Sequence, residues 1–190
     1  MTHNAYKVRE IGAILSPVGV EVLGLDDLPK FEVEEDGDSF EANAEKKARS
    51  IHQWTDDAAL ADDSGLVVDL LGGAPGIHSA RYAGGGIKRG EQDAANRVKL
   101  HAALAGHEKP KARFICVLAY VEKGKSPLFF RGEVKGTITA SERGTFGFGY
   151  DAMFEPVGST RTFAEYSPAE KNAVSHRAKA LQALMRHLAG

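Results

Sequence analysis

Ala112-Arg113-Phe114-Ile115-Cys116-Val117-Leu118-Ala119-Tyr120-Val121 is the strongest strand signal in the chain, rich in β-branched and aromatic residues. Working outward, PLFFRGEVKGTIT (127–139) continues as strands in an antiparallel style. Upstream, ALADDSGLVVDLL (59–71) has two short apolar runs separated by Asp62-Asp63-Ser64-Gly65. It reads as strand, polar turn, then strand or helix. Residues 19–24 look like a further strand, and 31–38 like an acidic loop. Helical spacing occupies the intervals: residues 5–15, stopped by Pro17; Ser39 to Trp54, capped by Ser39 or Asp38, with Phe40, Ala44 and Ile51 on one face; and 91–105. The stretch 72–90 holds seven glycines and reads as a long, shaped loop. A last helix opens at Ser167-Pro168-Ala169-Glu170, a capping box with proline at the first helical position. Its expected apolar stripe is Val174, Ala178, Leu181, Met185 and Leu188. With no repeat and no low-complexity linker, this interleaving gives one α/β or α+β domain around a mixed sheet.

Bulk properties narrow the class of protein. At 190 residues the chain can bury one sizeable core, and its 43% apolar and 26% charged residues are ordinary for a globular protein. A formal net charge of -2 advertises neither nucleic acid nor an anionic membrane as partner. Cys116 is the single cysteine and sits in the apolar run, so it reads as a buried thiol, and no internal disulfide is possible. No secretory signal pattern and no run of membrane-spanning length is seen, so a soluble, cytoplasmic protein is expected.

Four short segments concentrate polar groups beyond what folding requires. Thr2-His3-Asn4-Ala5-Tyr6-Lys7 enters the first helix, where free N–H groups, the helix dipole and Lys7 suit a phosphate; a capped helix with a solvated lysine explains it as well. Glu34-Glu35 and Asp62-Asp63-Ser64-Gly65 supply carboxylates of the kind that hold Mg²⁺ on a triphosphate. Adjacent strand residues face opposite ways, so one aspartate faces a site while the other holds backbone or a lysine; a hydrogen-bonded turn is the alternative. Gly144-Thr145-Phe146-Gly147-Phe148-Gly149-Tyr150-Asp151 alternates glycine with aromatics, which lets backbone approach a ligand while a ring stacks on a planar base. Glu170-Lys171-Asn172-Ala173-Val174-Ser175-His176-Arg177 places Lys171 and Ser175 on one helix face. Lys47, on the helix after Ser39, and His176 read equally as solvated or structural residues.

Taken together, these segments resemble the inosine triphosphate pyrophosphatase family. The match runs from T-H-N-A-Y-K-V-R-E through E-E-D-G-D-S-F-E-A-N-A-E-K-K-A to A-D-D-S-G-L-V-V-D-L-L-G-G-A-P-G-I-H-S-A-R-Y-A-G. It continues with G-T-F-G-F-G-Y-D-A-M-F and ends in S-P-A-E-K-N-A-V-S-H-R. The resemblance implies an elongated, two-lobed α/β domain with a central mixed sheet flanked by helices, the nucleotide in the cleft between lobes, and a homodimer. It implies Mg²⁺-dependent hydrolysis of ITP, deoxy-ITP and XTP to the monophosphate and pyrophosphate. By motif, Thr2, His3, Asn4, Ala5, Tyr6 and Lys7 would wrap the triphosphate, and Glu34 and Asp63 would hold Mg²⁺. Asp63 would also be the general base, with Ser64 beside it and Lys47 and Arg81 facing the phosphates. Phe148, Gly149, Tyr150 and Asp151 would frame the base, and Lys171, His176 and Arg177 would complete the contacts. The chain departs from the family at Ala42, where a glutamate is usual, at Tyr6, and at Ala152, and only Met1 precedes Thr2 where an apolar strand is usual. A pyrophosphatase of the Maf type and a nucleotide-binding module without turnover are the competing readings.

Overall fold

The computed structural model describes residues 11–12, 14–15, 33–88 and 90–189. In chain order the elements are α1 (Phe40–Thr55), β1 (Ala59–Val68), α2 (Gln92–Ala103), β2 (Lys111–Val121), β3 (Leu128–Ile138), β4 (Phe154–Pro156), α3 (Pro168–Val174) and α4 (His176–Leu188). Short 3-10 turns at Asp69–Leu71, Gly76–Arg81, Asp151–Met153 and Phe163–Glu165 connect them. The four strands form one antiparallel sheet in the order β1-β2-β3-β4, with Gly136 opposite Pro156 and Ile138 opposite Phe154. The α/β class read from the sequence is the observed one. Residues 11, 12, 14 and 15 are helical. The rest of the helix expected over 5–15, and the strand expected over 19–24, lie outside the described residues.

Two compact units are distinguished, one of residues 1–64, 116–132 and 176–190, the other of 65–115 and 133–175. The first has a core of Leu15, Cys116, Leu118, Ala180, Leu181 and Leu184. Cys116 is fully buried there, as its apolar run implied. The second is built on Leu66, Val68, Leu100, Leu104, Ile138 and Met153 with three phenylalanine rings. Phe114 meets Phe154 edge-on at 4.7 Å, and Phe163 lies 5.2 Å from Phe154 and 6.1 Å from Phe114. Such pairs add roughly 0.5–1.5 kcal/mol beyond their buried area.

Three sequence signals meet different fates. Ser39 caps α1, its hydroxyl accepting from the Ala42 N–H at 3.2 Å. Asp62-Asp63-Ser64-Gly65 is not a turn: β1 runs straight through it as one strand of 10 residues. Both aspartates find cationic partners inside the fold, so the polar residues need not bend out to water. The last helix is not continuous. Ser175 is extended (φ -68°, ψ 161°) and separates α3 from α4. That break shifts the phase of the buried face. Val174 is 40% exposed and Leu188 41%, while Ala178 and Leu181 are fully buried together with His176 and Arg177. Gly132 of β3 permits the close approach of this junction, because a Cβ there would strike the His176 carbonyl oxygen.

The capping box of α3 forms as expected. Ser167 Oγ accepts from the Glu170 N–H, and Glu170 accepts from the Ser167 N–H at 2.8 Å and from Arg161 at 2.9 Å. The Ser167 amide, with Arg161, holds the Glu170 carboxyl down at about 2. A depressed carboxylate stabilises the fold fully above its ordinary range and loses that contribution as pH falls through the folded value. Glu170→Gln is therefore expected to lower the thermal midpoint most at neutral pH. The gap to the parent protein should close as the pH approaches about 2; a constant gap across the titration would contradict this.

Candidate active site

The first unit carries a buried charge cluster on α1 and β1. Asp62 and Asp63 are 3% and 5% exposed, and strand alternation turns them to opposite faces. On one face, Lys47 Nζ lies 2.8 Å from Asp63 Oδ1 and 2.8 Å from Glu35 Oε1. Asn43 Nδ2 donates to Asp63 Oδ2 at 3.5 Å. Asn43 and Lys47 are four residues apart on α1, so both reach the same carboxylate from one helix face. The Asn43 side-chain oxygen also accepts the Gly37 N–H at 2.9 Å, which ties the acidic loop to the helix. A Cβ at Gly37 would come within 2.7 Å of that oxygen.

Burial pushes the Lys47 ammonium down, but Asp63, Asp62 and Glu35 together outweigh burial and hold it above the ordinary lysine value. Lys47 is thus a fixed cation at neutral pH. On the other face of β1, Ser64 Oγ donates to Asp62 Oδ2 at 2.8 Å, and Arg177 Nη2 reaches the same oxygen at 3.2 Å. Arg177 is 1% exposed. The two aspartates face opposite ways as alternation requires, but the lysine falls to Asp63, the aspartate assigned to the site, while Asp62 holds an arginine and a serine.

The second unit organises the glycine–aromatic segment. Thr145 and Phe146 both donate their N–H to the Ala164 carbonyl at 3.0 Å. Gly147 has φ +78°, and a Cβ there would strike the Asp151 carboxylate, so glycine is required. Asp151 Oδ2 accepts the Phe148 N–H at 2.9 Å and Lys171 Nζ at 2.6 Å. Lys171 Nζ also lies 5.1 Å from the centre of the Phe148 ring. Gly149 donates to Asp93 Oδ2 at 2.8 Å, and its carbonyl accepts from Arg97 Nη1 at 3.0 Å. The Tyr150 hydroxyl donates to the Ser79 carbonyl at 2.9 Å, and burial raises its pKa, so it is a neutral structural donor.

Lys47, Asp63, Ser64 and Arg177 thus gather around β1 in one unit, while Phe148, Gly149, Tyr150, Asp151 and Lys171 gather in the other. His176 is 5% exposed at the start of α4. Arg81 is exposed at the end of the Gly76–Arg81 turn, and Glu34 is exposed beside Glu35. Thr2 to Lys7 lie outside the described residues. Four further residues enter the geometry. Asn43 had a usable signal, four positions before Lys47. Glu35 was visible only as half of an acidic pair. Asp93 and Arg97 have the spacing of any solvated helix pair, which hides them. Among the described residues no three His, Cys, Asp or Glu side chains form a metal-binding group. Mg²⁺ on a triphosphate needs only one or two carboxylates beside phosphate and water, and the hard oxygens of Glu35 and Asp63, joined through Lys47, fit that requirement.

A buried carboxylate–lysine cluster and an aromatic, glycine-rich loop on one α/β scaffold are the equipment of a nucleotide-acting enzyme. The chain belongs to the Ham1 family, whose model matches residues 1–187. It is similar to the dITP/XTP pyrophosphatase of Geobacter sulfurreducens, at 47% identity over 190 residues, 98% of this chain and 94% of that protein. It is similar also to the dITP/XTP pyrophosphatase of Bacillus subtilis, at 43% identity, 98% and 94%. Among solved structures, the Staphylococcus aureus Ham1 protein matches with a TM-score of 0.87 at 36% identity, over 100% of this chain and 96% of that one. A HAM1 protein from Coxiella burnetii matches at 0.87 and 37%, over 99% and 95%. The family resemblance read from the motifs is borne out.

Proposed function

We propose that this chain hydrolyses the non-canonical purine nucleoside triphosphates ITP, deoxy-ITP and XTP to the monophosphate and pyrophosphate, with Mg²⁺, as a cytoplasmic homodimer that cleanses the nucleotide pool. The observation that carries the reading is the Asp63 carboxylate, buried on β1 with one oxygen on Lys47 and the other on Asn43. A carboxylate fixed through both oxygens has a set plane, as a base that takes a proton from an attacking water must have. Lys47 and Arg81, with Thr2 to Lys7, are the groups this reading assigns to the phosphates, and Ser64 to the substrate beside Asp63. Glu34 and Asp63 are the carboxylates this reading assigns to Mg²⁺, with Glu35 beside them on Lys47; Mg²⁺ when bound neutralises charge on the triphosphate.

Phe148 offers its ring to the base, with Gly149, Tyr150 and Asp151 shaping the loop that presents it. Hypoxanthine and xanthine carry an oxygen at the six-position, where adenine carries an amino group. The N–H donors Lys171, His176 and Arg177 favour the oxygen, and a buried polar site discriminates by orders of magnitude. The deciding experiment is pyrophosphate release from ITP, XTP, GTP, ATP and dTTP, with Mg²⁺ and with EDTA. Release from ITP and XTP that EDTA abolishes is expected. Release confined to dTTP or ATP would overturn the substrate assignment, and tight ITP binding without release would make the chain a binding module.

A further inference from the structure

We propose that Asp93 and Arg97 of α2 are positioning residues for base recognition, acting through the backbone of Gly149 to fix the Phe148 ring. This rests on the reading that Phe148 stacks on the nucleobase. The geometry is specific. The peptide plane before Phe148 is pinned by its N–H on Asp151 Oδ2 at 2.9 Å. The plane after it is pinned by the Gly149 N–H on Asp93 Oδ2 at 2.8 Å. With a carboxylate on each flanking plane, both backbone torsions of Phe148 are set, and with them the direction of its Cα–Cβ bond. Arg97 then holds the next plane through the Gly149 carbonyl at 3.0 Å. Gly149 itself sits at φ +61°, with open space where a Cβ would point, and its peptide is held by these hydrogen bonds.

The clamp stands on a rigid base. Asp93 and Arg97 are four apart on α2 and share a face. Asn96, between them, accepts from the Ala83 N–H at 2.8 Å and donates to the Ser79 and Ala80 carbonyls at 3.2 Å. Leu100, one turn on, is fully buried in the core of this unit. Arg97 is further restrained by Glu142 at 3.0 Å. The helix therefore delivers two charged groups to one glycine peptide with little freedom of their own, and charged partners make the stronger hydrogen bonds.

A ring held this way lowers the cost of ordering the loop when a base stacks. Losing the clamp should weaken substrate binding more than turnover. Steady-state kinetics with ITP on Asp93→Ala and Arg97→Gln are expected to show a KM raised roughly tenfold or more, with kcat changed far less. Asp93→Asn keeps an oxygen acceptor and should restore most of the KM. In a Phe148→Ala background, Asp93→Ala should add little, because its effect passes through the absent ring. An unchanged KM in Asp93→Ala and Arg97→Gln, or an equal penalty with and without Phe148, would overturn the proposal. If Asp93→Ala does not fold, Arg97→Gln and its combination with Phe148→Ala carry the same comparison. If the parent protein itself releases no pyrophosphate from ITP, the functional reading fails first, and the two failures are distinct.

Discussion

Asp63→Asn is expected to cut pyrophosphate release from ITP and XTP by about 10²- to 10⁴-fold, the usual contribution of a positioned base. The fold should survive it. Asparagine occupies nearly the same volume, and Lys47 keeps Glu35 at 2.8 Å as an anionic partner. The raised pKa of Lys47 is partly due to Asp63, so the substitution should lower it while burial still opposes the charge. A lysine whose folded pKa is raised contributes stability below its ordinary value and loses it as pH climbs through the folded one. The parent protein should therefore hold its advantage over Asp63→Asn at neutral pH and lose it only in strongly alkaline buffer. Turnover and thermal midpoint are the two readouts. An Asp63→Asn protein with parental turnover would remove Asp63 from the role of base.

Arg177→Ala carries the largest expected penalty in stability. Arg177 and Asp62 have side chains only 2% exposed each, and they meet at 3.2 Å. Taking one partner from a buried ion pair costs about 3–5 kcal/mol, because the remaining charge stays in a poor solvent. For a chain of this length that lowers the thermal midpoint by on the order of 10 °C. The control is Arg177→Met combined with Asp62→Asn, which removes both charges of this pair and should recover much of the loss. Calorimetric melting of the two proteins checks both statements; if Arg177→Ala melts with the parent protein, the pair is energetically idle.

What the sequence could disclose was local. The β2 run, the Ser39 cap and the Ser167–Glu170 capping box each sit within a few residues of the element they define, and all three appear as read. Asp62-Asp63-Ser64-Gly65 reads as a turn by propensity, which is also local, yet it lies within β1. The partners that keep it extended are Lys47, 16 residues from Asp63, and Arg177, 115 residues from Asp62. The break at Ser175 was equally hidden, since helical periodicity runs on across it and only the backbone torsions reveal the change of phase. At the site, the motifs point to Asp63, Lys47, Phe148 and Lys171. Which carboxylate shares Lys47, and which helix holds the aromatic loop, depends on tertiary contacts that no spacing encodes.

The span between Asp62 and Arg177 also has a meaning in time. The 115 residues separating them take on the order of ten seconds to translate. Throughout that interval the nascent chain already contains β1 and its aspartates but not the arginine that neutralises one of them. A polypeptide released just short of α4 would carry almost every recognisable motif and still have a charged strand with no arginine to bury it against. The pairing of Asp62 with Arg177 therefore cannot form until the last helix has been synthesised.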